Sequence, residues 1–456
     1  MIMRKILPFL IVLLASCAQE NVTLPKLMVS ENGHYLCTED GKPFFYQGDT
    51  AWELFHRLTR EEVDLYLADR AAKGYNVIQA VALAELDGID VPNAEGFLPL
   101  VNGDPMHPDV REGENNDYWD NVDYVIGKAN SMGLYVALLP TWGRYWHDDE
   151  PVFNPRNAEV FGKWIAERYH KYDLIWVLGG DRNPNTEFRD SVITSMANAI
   201  AAIDSLNLMT YHPAGGYSTS LWYQDAPWLD FNSRQSSHSP RYESNFHILE
   251  DFNQTPVKPI VEIEPLYEDH PLEFRPDQYG HSNAWDARRT MYWSVFCGAA
   301  GVTYGHHSVW QMYDPAKGHT PINRPLMSWR DALDAPAAGQ LIHLRRLMES
   351  FPFFTRIPKP ELVIPHEIQS YIPGAGRYRF AATMDSEGTY AMVYVPHGVS
   401  FSVDVSLLSK KSLDASWFCP RTGKSTKIGS FANTGDPLSF TPPSPGESLD
   451  YVLILQ

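Results

Sequence analysis

The stretch that decides the fold is Leu174-Ile-Trp-Val-Leu178, followed directly by Gly179-Gly180-Asp181-Arg182-Asn183-Pro184. Five apolar residues in a row predict a strand that is buried on both faces, as the strands of parallel sheets are. The two glycines predict a tight turn that leaves the Asp181 side chain exposed where the strand ends. A parallel sheet covered by helices is therefore expected around this strand.

The same alternation of strand and helix extends along the chain on both sides of this stretch. Further strands are predicted at Pro43–Gln47, Asn76–Leu83, Leu134–Pro140, Leu208–Tyr211, Trp228–Phe231, Pro259–Glu264 and Gly301–Tyr304. Helices are predicted at Thr59–Gly74, Asn116–Gly133, Asn157–Tyr172, Glu187–Ser205, Ser244–Phe252, Asp286–Cys297 and Gln340–Ser350. Eight strands in roughly 300 residues, all but the fifth followed by a predicted helix, predict a (β/α)8 barrel. A doubly wound open sheet is the alternative, but its glycine-rich first turn is missing here.

The pattern changes after Phe354, where short alternating strands are separated by Gly, Pro and Ser turns. This change predicts an all-β sandwich. Three prolines between Pro352 and Pro360 indicate the linker. We therefore assign residues 27–352 to the barrel, including small β elements at its start, and residues 353–456 to the sandwich.

The N-terminus carries the signals of export. Arg4 and Lys5 precede an apolar run that is too short for a permanent membrane span, so residues 1–16 are predicted to be a signal peptide. Leu14-Ala15-Ser16-Cys17 resembles a bacterial lipobox, which predicts lipidation of Cys17 and a tether over residues 17–26. The alternative is an ordinary cleaved signal with an incidental cysteine.

Composition narrows the possible partners of the chain. Its 456 residues are 44% hydrophobic and 20% charged, which is a globular profile. The formal net charge is −19, and this repulsion disfavours nucleic acid and anionic membrane surfaces. Contact with a membrane is expected only through the lipid anchor.

Polar and aromatic side chains follow each predicted barrel strand. In a (β/α)8 barrel the carboxyl ends of the strands form the active face, so these side chains are expected on one rim. The residues predicted to bind substrate there are Asp49, Trp52, Glu85, Trp142, Arg144, Arg182, His212, Gln235, His238, Tyr267, His306, His307 and Trp310.

Two carboxylates on this rim stand out as a catalytic pair. Glycosidic bond cleavage needs one carboxylic acid to protonate the leaving oxygen and a second carboxylate facing the anomeric carbon. Asp181 ends the fourth strand and Glu264 the seventh, so a sugar ring could sit between them. The bland alternative makes each a helix cap or a salt-bridge partner. Glu262, one layer deeper on the same face, is expected to be buried and paired.

Other chemistries lack their motifs. The chain has neither a Gly-x-Ser-x-Gly elbow nor a His-Glu-x-x-His helix. Thr422-Gly-Lys-Ser425 imitates the end of a phosphate loop, but Phe418 stands where the first glycine is required. His147-Asp-Asp-Glu150 reads as a solvated acidic turn rather than a calcium site. We expect no metal and no cofactor.

Five motifs together resemble glycoside hydrolase family 140, a family of secreted bacterial barrels. They are Gly48–Trp52, Gly179–Pro184, Gln235–His238, Glu264–Glu268 and Tyr304–His307, and the resemblance covers essentially the whole mature chain. It implies a barrel with a C-terminal sandwich of the kind labelled collagen-binding. It also implies release of apiose-linked side chains from the pectin rhamnogalacturonan II.

By the same resemblance Asp181 is the acid/base and Glu264 the nucleophile of a retaining mechanism. Gly180-Asp181 departs from the Asn-Glu that is usual in the wider clan of retaining barrels. The expected protein is thus a retaining endo-apiosidase, lipid-anchored in a bacterial envelope at the periplasm or cell surface, acting on plant cell-wall polysaccharide or oligosaccharide. The alternatives are a glycosidase of another linkage, or a non-catalytic lipoprotein that binds glycan or collagen.

Overall fold

Eight parallel strands form the centre of the molecule. Three small antiparallel strands precede them, β1 (Leu27–Val29), β2 (Leu36–Thr38) and β3 (Pro43–Phe44). The eight are β4 (Tyr46–Thr50), β5 (Val77–Leu83), β6 (Tyr135–Thr141), β7 (Leu174–Gly179), β8 (Met209–His212), β9 (Asn232–Arg234), β10 (Ile260–Glu262) and β11 (Gly301–Tyr304). Their order is β8-β7-β6-β5-β4-β11-β10-β9, and Asp230 N donating to Met209 O at 2.9 Å joins the two ends. The predicted barrel is confirmed.

The computed structural model describes residues 23–238, 244–364 and 378–456. The predicted signal peptide, Cys17 and the first part of the tether lie outside the described residues. Within the described ranges, no helix has the length and apolar character needed to cross a membrane.

The longer helices cover the outside of the barrel, and short ones such as His307–Trp310 lie in the loops at the pocket. They are α1 (Leu54–Arg57), α2 (Arg60–Ala72), α3 (Tyr118–Ser131), α4 (Arg144–His147), α5 (Pro155–Tyr169), α6 (Glu187–Ala201), α7 (Ser220–Tyr223), α8 (Ile248–Phe252), α9 (Pro276–Tyr279), α10 (Ala284–Phe296), α11 (His307–Trp310), α12 (Trp329–Ala332) and α13 (Leu341–Glu349). The start of α2 shows why the sequence predicted it. Thr59 and Glu62 form a reciprocal capping box that satisfies two free N–H groups.

The sixth barrel strand begins four residues later in the sequence than predicted. The apolar run Trp228–Phe231 suggested the strand, but β9 begins at Asn232. Trp228 and Leu229 are buried in the turn before it, with Trp228 packed on Tyr223. The strand can be polar because the hydrogen-bonding groups of its side chains find partners inside the fold. The Asn232 side-chain amide, for example, donates to the Gln224 side chain at 2.8 Å. Hydrophobicity alone could not find a strand of this kind.

The C-terminal region is built from short antiparallel strands, as predicted. They are β12 (Arg356–Pro358), β13 (Ala381–Asp385), β14 (Ala391–Val395), β15 (Phe401–Val403), β16 (Ser412–Cys419), β17 (Lys424–Ala432), β18 (Leu438–Phe440) and β19 (Tyr451–Leu455). Six of them form one sheet in the order β12-β13-β14-β19-β16-β17, and β15 pairs with β18. The stretch predicted as a linker contributes β12 to this sheet.

Helix α10 joins the barrel to the C-terminal sheet. Arg288 makes two hydrogen bonds to Asp450, at 2.8 and 2.6 Å, and both side chains are buried. Tyr292 stacks on Tyr394 with ring centroids 4.8 Å apart. A buried ion pair and a buried pair of aromatic rings both stabilise this interface. The sheet thereby braces the barrel on the side of α10.

Candidate active site

A pocket of about 310 Å³ opens at the carboxyl ends of the barrel strands. Nine of the residues predicted from the sequence line it, including both carboxylates of the predicted pair. The full lining is Trp52, Glu85, Trp142, Asp181, Gly215, Gln235, Ser237, His238, Glu264, Tyr267, His270, Phe274, Trp310, Ile322 and Asn323. The size and the mixture of aromatic and acidic groups suit a sugar ring.

Glu264 is held by two histidines from neighbouring strand ends. His238 Nε2 lies 2.9 Å from Glu264 Oε1 and donates a hydrogen bond to it. His212 Nε2 lies 3.0 Å from Oε2, outside hydrogen-bond geometry, so that contact is chiefly electrostatic. Burial by itself raises the pKa of Glu264, but the two histidine contacts outweigh burial and hold the pKa well below its usual range. Glu264 is therefore a carboxylate at neutral pH.

Asp181 reaches the pocket because the backbone before it turns sharply. Gly179 and Gly180 have φ of +93° and +105°, and Asp181 itself has φ of +53°. A Cβ on Gly180 would meet the Trp142 ring at 2.8 Å, so only glycine fits between the ring and the turn. This turn leaves 37% of the Asp181 side chain exposed, as the glycine pair predicted.

The environment of Asp181 favours its protonated form. Burial among protein atoms raises the pKa of Asp181, and the neighbouring Glu264 carboxylate raises it further, while His212 and Arg182 act in the opposite direction. Arg182 Nη1 lies 3.2 Å from Asp181 Oδ2. The two carboxyl groups of this pocket therefore have pKa values shifted in opposite directions, Asp181 upward and Glu264 downward.

His212 connects the two carboxyl residues. The Asp181 N–H donates to His212 Nδ1 at 3.2 Å, which assigns the ring proton to Nε2. Nε2 is the nitrogen that faces Glu264. The ring therefore fixes the Asp181 turn with one nitrogen and places positive partial charge beside Glu264 with the other.

Glu85 adds a third carboxyl group to the pocket. It follows β5 directly and is half-buried. Burial and the carboxylates of Glu53, Asp181 and Glu264 raise the pKa of Glu85 to about 8, with only Arg182 opposing them. A carboxylic acid that stays protonated at neutral pH can donate a hydrogen bond to a sugar oxygen.

Tryptophans form the floor of the pocket, and unpaired polar atoms face it. Trp52 and Trp142 lie with ring centroids 5.1 Å apart. Trp142 Nε1 and Gln235 Oε1 are buried and have no hydrogen-bond partner among the described residues. Buried polar atoms without partners are unusual in folded proteins, and at a pocket wall a ligand can satisfy them.

Asp49 is a correction to the predicted set. Its side chain points away from the pocket, to the helix layer, where Arg70 Nε donates to it at 2.6 Å and Tyr66 Oη at 2.5 Å. Asp49 and Arg70 are both fully buried. A carboxylate held in this way stabilises the contact between β4 and α2 and is not available to a substrate.

Other predicted residues lie behind the pocket wall. His306 caps α11, accepting a hydrogen bond from Ser308 N at 3.1 Å. His307 accepts one from Trp310 Nε1 at 3.3 Å and reaches the carbonyl oxygen of Ile322 at 3.1 Å. Burial lowers the pKa of His307 to about 3, so it is neutral and positions two lining residues instead of touching the pocket itself.

The predicted arginines are bound at the rim rather than free in the pocket. Arg144 Nη1 donates to Glu85 O at 3.2 Å and lies 3.3 Å from Asp87 Oδ1. Arg182 donates to the backbone oxygen of Asp181 at 2.8 Å. Neither is among the residues that line the pocket.

Sequence reasoning missed residues that enter the pocket from long loops. His270 and Phe274 lie in the loop after β10, and Asn323 in the loop after α11. His270 stacks on His238 with centroids 4.1 Å apart, and burial holds the pKa of His270 well below its usual range. The sequence showed only that these residues follow the seventh and eighth barrel strands, β10 and β11.

Glu262 lies below Glu264, buried as expected, and supports the loop that carries His238. It accepts hydrogen bonds from Ser236 N at 3.0 Å and Asn245 Nδ2 at 3.2 Å. Burial raises the pKa of Glu262 to about 7 against these hydrogen bonds.

The described ranges contain no group of three His, Cys, Asp or Glu side chains that could hold a metal ion.

Comparison with known families agrees with this geometry. Residues 30–355 match the family model of the apiosidase-like catalytic domain. The chain belongs to the apiosidase-like family. Residues 365–456 match a second model, named for a collagen-binding domain of a collagenase. No curated protein matches the sequence.

Solved structures share both parts of this apiosidase-like chain. A glycoside hydrolase structure is 33% identical, with a TM-score of 0.85, and the alignment covers 94% of this chain and 96% of the other. A crystal structure of a glycoside hydrolase family 5 protein from Bacteroides vulgatus is also 33% identical, with a TM-score of 0.85 over 96% of this chain and 95% of the other. The family match and both structures support a glycosidase.

Proposed function

We propose that this apiosidase-like protein is a retaining endo-apiosidase that releases apiose-linked side chains from rhamnogalacturonan II. The observation that carries the proposal is the pair Asp181 and Glu264, which share one pocket while their pKa values are shifted in opposite directions. Membership of the apiosidase-like family supports the choice of sugar. No cofactor takes part in this mechanism.

In the first step the Glu264 carboxylate attacks the anomeric carbon while Asp181 donates its proton to the leaving oxygen. The glycosidic bond breaks and a glycosyl ester forms on Glu264. In the second step Asp181, now a carboxylate, takes a proton from a water molecule that attacks the same carbon. The ester breaks, Glu264 is released, and the sugar keeps its original configuration.

Substrate binding in this proposal uses the lining residues around the pair. Trp52 and Trp142 offer apolar surface to the sugar faces, and Trp142 Nε1 and Gln235 Oε1 have free hydrogen-bonding capacity. Glu85 in its protonated form donates to a hydroxyl or ring oxygen. His238, Tyr267 and Trp310 complete the predicted contacts.

We further propose that the protein is lipidated at Cys17 and held in a bacterial envelope, at the periplasm or cell surface, where plant cell-wall fragments reach it. The order of positive, apolar and small residues before Cys17 supports this. The net charge of −19 gives no reason to expect nucleic acid as a partner.

The test compares Glu264→Gln, Asp181→Asn and the exposed control Glu159→Gln on rhamnogalacturonan II and on a panel of aryl glycosides that includes a 4-nitrophenyl apioside. Glu264→Gln should abolish turnover of every substrate. Asp181→Asn should lose about 10²–10⁴-fold on the polysaccharide and least on aryl glycosides, whose leaving groups need no proton. The control should match the unmodified protein.

NMR of the first-formed product then gives its anomeric configuration. Retention supports the double displacement, whereas inversion would refute it and assign a water molecule to the attack. Cleavage of another aryl glycoside but not of the apioside would refute apiose as the sugar and leave the assignment as a glycosidase standing. Turnover that survives in Glu264→Gln would refute the assigned nucleophile.

A further inference from the structure

Phe274 differs from every other aromatic residue of the pocket. Its side chain is 57% exposed, whereas Trp52, Trp142, Tyr267 and Trp310 are exposed by 8% or less. A large apolar ring that lines a pocket and remains in water is unfavourable for the free protein. The exposed ring is thus available to a ligand that enters the pocket.

The backbone that presents this ring is strained. Glu273 and Phe274 are consecutive residues with φ of +55° and +57°, in the left-handed region that favours glycine. Two such residues side by side are uncommon, because each Cβ crowds its own backbone. Left-handed residues that carry side chains concentrate at functional sites.

Two backbone hydrogen bonds close the base of the loop that carries Phe274, and an exposed ion pair lies at its far end. Ser282 N donates to His270 O at 2.9 Å, and Leu272 N donates to Gly280 O at 3.0 Å. Asp277 pairs with Arg324 of the neighbouring loop at 2.7 Å. The exposure of Phe274 thus belongs to a defined loop conformation.

Phe274 is also connected to the nucleophile through stacked rings. It packs edge-to-face on His270, with centroids 5.0 Å apart at 86°, and lies 6.2 Å from the His238 ring. His238 donates to Glu264 at 2.9 Å. The exposed ring therefore stands at the mouth of the pocket, on the side of Glu264.

We propose that Phe274 is an aromatic platform that stacks on a sugar ring adjacent to the ring attacked by Glu264. This inference rests on the proposed glycosidase function and adds to it a second sugar-binding position, so that at least two rings of the substrate contact the pocket. The axial C–H groups of a sugar give it an apolar face that packs on aromatic rings and would cover Phe274 in the complex.

The test compares Phe274→Ala and Phe274→Trp with Phe188→Ala, the control. Phe188 is 44% exposed on α6 and does not line the pocket. The substrates are rhamnogalacturonan II and 4-nitrophenyl apioside, which presents a single sugar. Phe274→Ala should lower kcat/KM on the polysaccharide at least about fivefold more than on the aryl apioside, mainly through KM. Phe274→Trp should restore most of the loss, and the control should change neither value.

Native gels containing rhamnogalacturonan II, polygalacturonan or mannan measure binding without turnover. Phe274→Ala should migrate faster than the unmodified protein in any gel that retards the latter. Equal migration, or equal losses on both substrates, would overturn the platform. If the gels retard the unmodified protein but no substrate is cleaved, the proposed glycosidase function is refuted and the role of Phe274 as a platform stands. If there is neither retardation nor cleavage, both proposals are refuted.

Discussion

Glu85→Gln should make the folded protein more stable at alkaline pH. Glu85 is surrounded by Glu53, Asp181 and Glu264, and burial together with these carboxylates raises the pKa of Glu85 to about 8. In the unfolded chain the same group ionises near its usual 4.5. Glutamine has almost the same shape and stays neutral at every pH, so it removes only the cost of ionising this side chain.

The sign and size follow from proton linkage. Between pH 4.5 and 8 the unfolded chain has released the proton while the folded chain still holds it, so the stability contributed by this group falls as pH rises. The slope is about 1.4 kcal/mol per pH unit, which over this range sets an upper limit of about 5 kcal/mol. Solvent reaches the half-buried carboxyl through the pocket, which reduces the expected effect to roughly 1–3 kcal/mol.

The assay is urea unfolding followed by tryptophan fluorescence at pH 4.5 and pH 8.5, for the unmodified protein, Glu85→Gln and the exposed control Glu159→Gln. The free energy of unfolding of Glu85→Gln should exceed that of the unmodified protein by more at pH 8.5 than at pH 4.5. The control should show no such trend. A difference that is independent of pH, or that shrinks as pH rises, would refute the argument that neighbouring carboxylates keep Glu85 protonated.

Two further predictions concern the contact between the barrel and the C-terminal sheet and the lipid anchor at Cys17. Arg288→Ala should lower the free energy of unfolding by about 1.5–3 kcal/mol, because the buried Asp450 carboxylate loses two charged hydrogen bonds but keeps Arg421 at 2.8 Å. Lys163→Ala, which removes an exposed ion pair, is the control in the same urea titration. A loss below about 1 kcal/mol for Arg288→Ala would contradict the bracing role of this contact. Mass spectrometry of protein from the membrane fraction should find a mature chain that starts at a lipidated Cys17. The Cys17→Ser variant should be absent from that fraction, and an unmodified Cys17 in the unmodified protein would refute the anchor.

The barrel was predictable because its signals are local. The apolar run Leu174–Leu178, the capping box at Thr59 and the glycines before Asp181 each act within a few residues of themselves. Strand ends in a parallel barrel share one rim, so the sequence alone predicts that Asp181 and Glu264 lie on the same rim. The strand β9 was misplaced because its polar residues are satisfied by distant partners, which a hydrophobicity pattern does not record.

The sequence by itself thus determined the architecture, the rim and the pair of carboxyl residues on it. Only the tertiary structure decided which way each side chain points and what charge it carries. Asp49 and Thr50 are neighbours at one strand end, yet successive side chains face opposite sides, and Asp49 pairs with Arg70 behind the barrel. Phe274 and His270 reach the pocket through the fold of a long loop. The pKa shifts of Asp181, Glu85 and Glu264 likewise arise from burial and from groups far apart in the chain, so no local pattern encodes them.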